Sequence, residues 1–236
     1  MSLLINILST RIVAKMLLRP MLSIHTLSYK LSGLLASVVH DSTHPKHQIM
    51  KYKEWFSDNI GANDIVLDVG CNTGMMPEVM SLKASFVYGI EIEEKHVDIA
   101  KKLRSKINIE FICADATTYD YAKCSPIDVV TLSNVLEHIE HREPFLKALI
   151  NQISWNNPNC KKLLIRVPMV DRDWITIYKK ENFMEYRLDN THFIEYTYDD
   201  FKSELLRAGV GIDSYHIRFG EIYAVCSVID DDGSAC

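Results

Sequence analysis

The sequence lacks several patterns that define common protein classes. Its six cysteines are scattered through 236 residues without a Cys-x-x-Cys pair, which argues against a zinc site or a disulfide framework and favours reduced thiols. The formal net charge is only −5, so a dedicated nucleic-acid binder is not expected. Internal repeats and low-complexity runs are absent. A chain of this length therefore predicts one large domain, with or without an appendage.

The sequence also lacks an apolar run as long as the roughly 18 residues that a membrane-spanning helix needs. Residues 1–39 are rich in Leu, Ile, Val and Met, but basic residues interrupt them at Arg11, Lys15, Arg19 and Lys30. A signal peptide fits poorly for the same reason. Two interpretations stay open, a helical cap that packs on the domain or on a second subunit of a homodimer, and a basic amphipathic helix on a membrane surface. Pro20 predicts a break between two helical pieces.

The most informative stretch is residues 64–74, Asp-Ile-Val-Leu-Asp-Val-Gly-Cys-Asn-Thr-Gly. An apolar run typical of a buried parallel strand contains Asp68 near its end and leads into Gly70 and Gly74, after which the chain favours a helix. Such a turn brings backbone N–H groups towards a ligand. The third glycine of the dinucleotide fingerprint is missing, and no Gly-Lys-Ser/Thr follows. These absences disfavour an NAD-type oxidoreductase and exclude a P-loop.

Residues 64–74 resemble motif I of the class I S-adenosylmethionine-dependent methyltransferases. In that family an acid closes the first strand and a glycine-rich turn runs under the methionine half of the cofactor. The commoner form of the motif has glycine at the position of Asn72, and asparagine tolerates the left-handed conformation well. The resemblance implies that the cofactor-binding residues include Asp68, Gly70, Cys71, Asn72 and Gly74. A helix predicted at residues 46–59 would cover the cofactor, as in the family.

Two further acids follow predicted strands. Glu91 comes directly after residues 85–90, where a carboxylate can accept hydrogen bonds from ribose hydroxyls, and Ile92 would touch the adenine. The alternative for Glu91 is an acid that favours a helix N-terminus. Asp115 follows residues 107–113 and resembles motif II, in which the acid contacts the adenine amine and the next amide, here Ala116, contacts a ring nitrogen. The alternative for Asp115 is an ordinary helix cap.

A fourth predicted strand, residues 127–132, leads into Ser-Asn-Val-Leu-Glu-His. This segment resembles the motif IV region of small-molecule methyltransferases, where the strand ends beside the transferring methyl group, and it implies that Ser133 and Asn134 adjoin the cofactor. The Leu-Glu-His sequence recurs in the branch that includes ubiquinone-biosynthesis-like and sugar methyltransferases. His138 is a candidate general base, because the unperturbed pKa of histidine is about 6.5. A structural role for His138 stays open.

An insertion at residues 169–198 follows the fifth predicted strand, residues 161–167. Polar and aromatic segments at the carboxyl edge of a parallel sheet are where such folds place substrate determinants. The candidate substrate contacts are Asp171, Trp174, Tyr178 and Tyr196. Residues 189–192 resemble a Thr-His segment frequent in this methyltransferase branch, which makes His192 a second candidate base. The alternative is a solvated loop with packed tyrosines, and the spacing of acids and histidines predicts no metal.

In order, these elements predict an α/β fold. We expect a Rossmann-like, seven-stranded, mostly parallel sheet with an antiparallel last strand, helices on both faces and a helical N-terminal cap. Residues 212–219 and 221–228 would form the closing hairpin. The predicted boundaries are 1–59 for the cap, 60–229 for the methyltransferase domain and 230–236 for a tail.

The resemblance implies an enzyme that uses S-adenosylmethionine and releases S-adenosylhomocysteine. Two candidate histidine bases favour an oxygen acceptor, because a hydroxyl must lose a proton. A further resemblance, to uncharacterised methyltransferases from bacterial surface-polysaccharide gene sets, implies polysaccharide biosynthesis with a sugar or a lipid-linked saccharide as acceptor. An N- or C-methyltransferase of the same fold and a non-catalytic binding module stay open. We expect a cytoplasmic protein, with membrane contact through residues 1–39 as the alternative.

Overall fold

A computed structural model describes residues 10–40 and 44–229. The predicted tail 230–236 and the first nine residues of the predicted cap lie outside the described residues. The chain divides into two compact units, Met1–Lys51 and Tyr52–Cys236. This division assigns the helix that starts at Tyr52 to the second unit, whereas the sequence analysis extended the cap to residue 59.

The described part of the first unit is helical. Helix α1 spans Arg11–Val39 with Pro20 inside it, so the predicted break at Pro20 is wrong. The proline removes one intrahelical donor, but the apolar spacing of a helix continues on both sides of it. Helix α2 spans Lys46–Met50 and is followed by Lys51, which has a left-handed backbone (φ 51°). Within residues 10–40 and 44–229, none of the helices is both long and apolar enough to cross a membrane.

The second unit alternates strands and helices. The strands are β1 Ile65–Val69, β2 Phe86–Glu91, β3 Ile109–Cys113, β4 Val129–Ser133, β5 Lys162–Pro168, β6 Val210–Arg218 and β7 Glu221–Val228. The α-helices are α3 Tyr52–Asp58, α4 Met75–Met80, α5 Glu94–Arg104, α6 Arg142–Gln152, α7 Trp174–Glu181 and α8 Tyr198–Arg207. Each predicted strand is present, with ends shifted by up to two residues.

The seven strands form one sheet in the order β3-β2-β1-β4-β5-β7-β6. Strands β1 to β5 pair in parallel, and β7 runs antiparallel to both β5 and β6. The predicted fold class is therefore confirmed. The strand order reverses between β1 and β4, so the carboxyl ends of β1, β2 and β4 open onto a crevice where such folds bind ligands.

The apolar strands supply the core that holds this edge in place. Val66, Leu67 and Val69 of β1 are buried on both faces of the sheet, as expected for a central parallel strand. Leu146 and Leu149 of α6 are also buried, in the same core cluster as Leu67 and Val69.

The cysteines differ in part from the expectation of reduced thiols. Four of them, Cys71, Cys113, Cys124 and Cys226, are free, and three of these four are buried. Cys160 is disulfide-bonded, which corrects the expectation at that position.

The predicted insertion is more ordered than a solvated loop. It contains a 3-10 turn at Val170–Arg172 and helix α7, and its last part returns to the end of β5. There Tyr196 N donates to Pro168 O at 3.0 Å, and Val170 N donates to Tyr196 O at 2.9 Å. Phe193 N also donates to Glu137 O at 2.7 Å. These bonds bring residues 191–195 beside the segment that follows β4.

Candidate functional site

A cleft of about 1070 Å³ opens at the carboxyl edge of the sheet, within the second unit. The loops after β1, β2, β3 and β4 and the start of α6 form its walls. Eight of the residues predicted from the sequence line it: Gly70, Asn72, Glu91, Ile92, Asp115, Ala116, Asn134 and His138.

The turn after β1 requires glycine for two reasons. Gly70 and Gly74 have φ of +71° and +81°, which side chains rarely adopt. A Cβ at Gly70 would also lie 2.7 Å from Val135 Cγ2, and one at Gly74 would lie 2.7 Å from Phe111 Cζ. Asn72 adopts φ 49°, as expected for an asparagine in place of the family's glycine. The turn therefore packs closely on β4 and β3 and exposes its backbone to the cleft.

Glu91, the last residue of β2, is buried at the cleft wall with 7% of its surface exposed. One carboxylate oxygen accepts a hydrogen bond from Asn72 N at 2.8 Å, and the other accepts one from Glu93 N at 2.9 Å. Each oxygen has capacity for a further hydrogen bond. The carboxylate is thus fixed by two loops and can still accept from two hydroxyl groups of a ligand.

Two more acceptors in the cleft have capacity for a ligand. Asp115 accepts from Thr117 N at 2.8 Å and from the Thr117 hydroxyl at 2.7 Å through the same oxygen, Oδ1. No described residue donates to its Oδ2. Asn134, at φ 56°, has a buried Oδ1 without a hydrogen-bond partner in residues 10–40 and 44–229. A buried acceptor of this kind is costly unless a ligand donates to it.

Four residues predicted to bind the cofactor lie behind the cleft wall instead. They are Asp68, Cys71, Gly74 and Ser133. Asp68 accepts from the Thr131 hydroxyl at 2.5 Å, and burial raises the pKa of its carboxyl to about 7. The Cys71 thiol is in an apolar cluster with Phe111, and burial raises its pKa. These residues shape the turn and the sheet edge and do not line the cleft.

His138 ends a 3-10 turn, Leu136–His138, and lines the cleft. Its Nδ1 is 2.9 Å from the Thr191 hydroxyl, which donates its one proton to Asp189 Oδ1 at 2.8 Å. Nδ1 must therefore donate, because the Thr191 oxygen has no second proton. This leaves Nε2 of His138 unprotonated. Burial, and then the nearby His192, lower the pKa of His138.

His192 lies next to His138 but is buried, and it does not line the cleft. The two ring centroids are 4.7 Å apart at an interplanar angle of 80°. Nδ1 of His192 is 3.0 Å from Glu195 Oε1. Burial alone would raise the pKa of Glu195, but hydrogen bonds from His192, Leu188 and Arg172 outweigh burial and lower it. The carboxylate of Glu195 therefore engages Nδ1 of His192 and leaves Nε2 as the ring nitrogen without this partner.

Glu137 is a site residue that the sequence analysis missed. It is fully buried, and neither carboxylate oxygen accepts a hydrogen bond from another residue of the described chain. Burial raises the pKa of Glu137 to about 8, against lowering contributions from its own backbone N–H and from Arg166. One ligand atom from each of Glu137, His138 and His192 lies within 4.8 Å of the others. The available sequence signal for this cluster was the combination of the Leu-Glu-His sequence with the Thr-His segment.

None of the four predicted substrate contacts lines the cleft. Asp171 and Trp174 are exposed, Trp174 to 69%, and Tyr178 is half-buried. Tyr196 is fully buried, and its hydroxyl donates to Glu204 Oε1 at 2.6 Å. The structure therefore gives Tyr196 a place in the core and corrects the prediction that it contacts substrate.

Comparison with known proteins agrees with this geometry. Residues 67–152 match the family described as "Methyltransferase domain". The ubiquinone biosynthesis O-methyltransferase of Pseudomonas savastanoi pv. phaseolicola is 31% identical over 115 residues, which cover 46% of this chain and 49% of that protein. Residues 67–152 therefore carry a methyltransferase domain. The chain spans about half the length of this curated relative.

Solved structures share the fold of this methyltransferase domain. The magnesium protoporphyrin IX methyltransferase of Synechocystis PCC 6803, solved with bound S-adenosylhomocysteine, has a TM-score of 0.56 at 18% identity and covers 77% of this chain and 82% of its own. A methyltransferase from Listeria monocytogenes, described as putative in its source, has the same TM-score and identity and covers 76% of this chain and 99% of its own. At these identities the likeness concerns the fold alone.

The sequence predicts S-adenosylmethionine as the cofactor of the methyltransferase domain. The residues of the cleft fit it. Glu91 can accept from two hydroxyl groups, and Asn134 and Asp115 each have an oxygen with room for a donor. The backbone at Gly70 approaches the cleft without a side chain.

Proposed function

We propose that this chain transfers a methyl group from S-adenosylmethionine to a hydroxyl group of a small-molecule acceptor. The observation that carries the proposal is that Glu91 and His138 line the same cleft. Glu91 is suited to a pair of ribose hydroxyls. His138, with its unprotonated Nε2, is suited to a hydroxyl group that must lose a proton.

The cofactor would be held by residues that line the cleft. Glu91 would accept from the ribose hydroxyls, and Ile92 and Asp115 would hold the adenine, with the amide of Ala116 as a further donor. Asn134 Oδ1, which has no partner in the described residues, would accept from the ammonium group of the methionine portion. The backbone of residues 70–72 would adjoin that portion. This assignment accounts for the buried acceptors of the cleft.

The histidines explain why we favour an oxygen acceptor. S-adenosylmethionine supplies, when bound, a methyl group on a positively charged sulfur that is already activated for transfer. The acceptor must be held close to it, and an acceptor hydroxyl must also be deprotonated. We assign this step to His138, which lines the cleft, with the ring of His192 packed against it. A neutral amine would need no such group.

For the acceptor we propose a hydroxyl of a sugar or of a lipid-linked saccharide. Trp174 is exposed to 69% and lies next to Tyr178 on α7, with ring centroids 6.4 Å apart. Neither residue lines the cleft, but such aromatic faces suit the further sugar rings of a larger acceptor. A hydroxyl of a quinone-biosynthesis intermediate is the second candidate, because the matched curated relatives are named for that O-methylation.

We also propose that α1 rests on an anionic membrane surface. Its apolar residues Ile12, Met16, Ile24, Leu27 and Leu31 recur at multiples of three and four, which places them on one face. Residues 1–40 contain no Asp or Glu, and four basic residues lie within the helix. An apolar face with cationic flanks is typical of helices that lie in a membrane interface.

The test of cofactor binding is calorimetric titration of the full chain with S-adenosylmethionine, S-adenosylhomocysteine and NAD. We expect binding of the first two, weakened at least about tenfold in Glu91→Ala because two charge-assisted hydrogen bonds are lost. Glu93→Ala is the matched control, since Glu93 lines the same cleft and is exposed. Its affinity should stay close to that of the wild type.

Two results would count against this proposal. Binding of NAD alone would indicate an oxidoreductase, and no binding of any of the three would indicate a non-catalytic module. Formation of S-adenosylhomocysteine in the presence of sugar hydroxyls, of phenols with neighbouring hydroxyls and of amines would then decide the acceptor class.

A further inference from the structure

We propose that Glu137, His138 and His192 together bind a divalent transition-metal ion at the wall of the cleft. The role we give the metal, holding and activating the acceptor hydroxyl, rests on the proposed function. Binding of the metal itself does not.

The three side chains converge although they come from two separate segments. Glu137 and His138 belong to the turn after β4, and His192 belongs to the segment that returns to β5. The bond from Phe193 N to Glu137 O at 2.7 Å joins the two segments next to the cluster. As a result, one ligand atom of each side chain lies within 4.8 Å of the other two.

In both histidines one ring nitrogen is held by a neighbouring side chain, as is usual for histidines that bind a metal. Each Nδ1 is engaged, that of His138 by Thr191 and that of His192 by Glu195. The Nε2 atoms are the ring nitrogens left to bind an ion. Histidine ligands of metals commonly donate their other N–H to a carboxylate or another acceptor in this way, which fixes the ring and raises its basicity.

Glu137 supplies the independent observation that points to a cation. Its carboxylate is fully buried, and both oxygens lack a hydrogen bond from any other described residue. Arg166 is the cation whose charge acts on it, but the Arg166 guanidinium is paired with Glu221. A buried carboxylate without a partner is costly, and a bound cation between it and the two imidazoles would remove that cost.

The donor set selects the kind of metal. Two imidazole nitrogens and one carboxylate oxygen suit Zn²⁺, Mn²⁺, Fe²⁺ or Co²⁺, whereas Mg²⁺ and Ca²⁺ prefer oxygen ligands. Zinc bond lengths of about 2.0–2.2 Å place the ligands of a tetrahedral site about 3.4 Å apart. The three ligand atoms, which lie within 4.8 Å of one another, therefore have to approach by at most about 1.4 Å, which side-chain rotation can supply.

Three protein ligands leave at least one coordination position open, as in catalytic zinc sites. His138 and Thr191 line the cleft, so the open position lies at the cleft wall. An acceptor hydroxyl bound there becomes more acidic and loses its proton to solvent water. With the ion bound, both histidines would be ligands, so the metal would replace His138 in the general-base role that the proposed function gives it.

The test uses the full chain, stripped of metal with a chelator and titrated calorimetrically with Zn²⁺. We expect one bound Zn²⁺ per chain, with affinity lowered more than tenfold in Glu137→Gln and in His192→Gln. Glu195→Gln, which removes the partner of His192 Nδ1, should lower the affinity about 10- to 100-fold. His141→Ala is the matched control, since His141 lines the cleft and is outside the cluster. Its affinity should be unchanged.

A second measurement on the wild type avoids the risk that a buried substitution disturbs folding. Co²⁺ added to the stripped chain should give the visible absorption of a low-symmetry, four- or five-coordinate ion, which Zn²⁺ then displaces. No stoichiometric binding, an octahedral aquo spectrum, or equal affinity in the Glu137→Gln and wild-type chains would overturn the proposal. Such a result would indicate that Glu137 is simply a neutral, protonated acid.

S-adenosylhomocysteine binding to Glu137→Gln separates this proposal from the proposed function. Glu137 does not line the cleft, so cofactor affinity should be retained while metal affinity falls. Loss of cofactor binding in every chain, including the wild type, would count against the proposed function and would leave the metal titration as evidence on its own.

Discussion

Asp68, which was predicted to bind the cofactor, is buried behind the cleft wall and affects the stability of the fold. Its carboxyl is buried beside Thr131, and its pKa is raised from 3.8 to about 7, first by burial and then by the charge of Glu91, against the lowering effect of the Thr131 hydrogen bond. The folded state therefore keeps a proton that the unfolded state has lost between about pH 4 and pH 7. The stabilisation from protonated Asp68 is complete below pH 4 and is lost as the pH rises to about 7.

Asp68→Asn should remove this pH dependence, because an amide keeps the shape and accepts the Thr131 hydrogen bond without ionising. At 1.36 kcal/mol for each pH unit, a rise from 3.8 to about 7 corresponds to at most about 4 kcal/mol. We expect the free energy of unfolding of Asp68→Asn, relative to wild type, to increase by up to that amount from pH 4 to pH 8. Denaturant unfolding at several pH values measures it.

Asp98→Asn serves as the control for Asp68→Asn. Asp98 is exposed on α5, so its substitution should leave the difference from wild type nearly constant with pH. Equal pH profiles for the Asp68 variant and the wild type would show that Asp68 is ionised in the folded state throughout this range.

The residue scale also shows where sequence alone stops. Glu91 and Asp115 could be predicted because each follows a recognisable strand and the motif fixes its position. The unpartnered Glu137 could not, because it lies in a polar-looking Glu-His pair that gives no sign of burial. Its isolation depends on the packing of the turn after β4 against residues 191–195, which is a contact between distant parts of the chain.

At the scale of elements, the segment that follows β5 is held by buried polar contacts. The Tyr196 hydroxyl donates to Glu204 Oε1 of α8 at 2.6 Å, and Arg142 Nε, at the start of α6, donates to Glu204 Oε2 at 2.8 Å. Glu204 thus joins the returning segment to two helices. Tyr196 therefore acts by fixing the segment that carries His192.

We expect Tyr196→Phe to lower the free energy of unfolding by about 1–3 kcal/mol, because it removes a donor from a buried carboxylate oxygen. Thermal or denaturant unfolding measures the change. Tyr178→Phe should change stability little, since Tyr178 is only half-buried. An unchanged stability of Tyr196→Phe, together with a raised KM for the acceptor, would restore Tyr196 as a substrate contact.

The elements themselves could be predicted where local sequence decides them. Each strand is an apolar run, and helix α8 is capped by Thr197, whose hydroxyl accepts from Asp200 N at 3.1 Å. Pro20 was predicted to break the helix because proline removes one backbone donor, but the helix continues through it. The order of the insertion could not be predicted, because it depends on contacts that the sequence does not reveal. Arg172 donates to Met169 O at 2.8 Å and to Tyr186 O at 2.7 Å, and it pairs with Glu195.

At the scale of the whole molecule, the sequence of strands and helices predicts the order of the strands, and the order of the strands predicts where the cleft lies. In a parallel sheet with right-handed crossovers, the order in which strands are added to the sheet reverses once, here between β1 and β4. Ligands bind at that point. Seven of the eleven residues predicted to bind the cofactor accordingly line the cleft, and the other four lie behind its wall. The side that we assign to the acceptor includes Thr191, which lies between β5 and α8 in a segment whose arrangement depends on tertiary contacts.

The membrane contact that we propose for α1 concerns the whole chain. We expect the full chain to sediment with vesicles containing phosphatidylserine and not with vesicles of phosphatidylcholine alone. The double variant Lys15→Glu/Arg19→Glu should bind the anionic vesicles at least about thirtyfold more weakly, because each basic residue near such a surface contributes about 1 kcal/mol. Added salt should weaken the binding of the wild type in the same direction, since the attraction is screened.

The matched control for charge is Lys101→Glu/Lys102→Glu, which reverses two exposed lysines of α5 in the second unit and should leave vesicle binding unchanged. Equal weakening by both double variants would show that only the net charge of the chain matters. Absence of sedimentation with either vesicle, together with a dimer in analytical ultracentrifugation, would replace the membrane by a second copy of this chain as the partner of the apolar face. A membrane-bound α1 would bring the methyltransferase domain to acceptors that carry a lipid. Binding to anionic vesicles would therefore favour a lipid-linked saccharide over a free one as the acceptor.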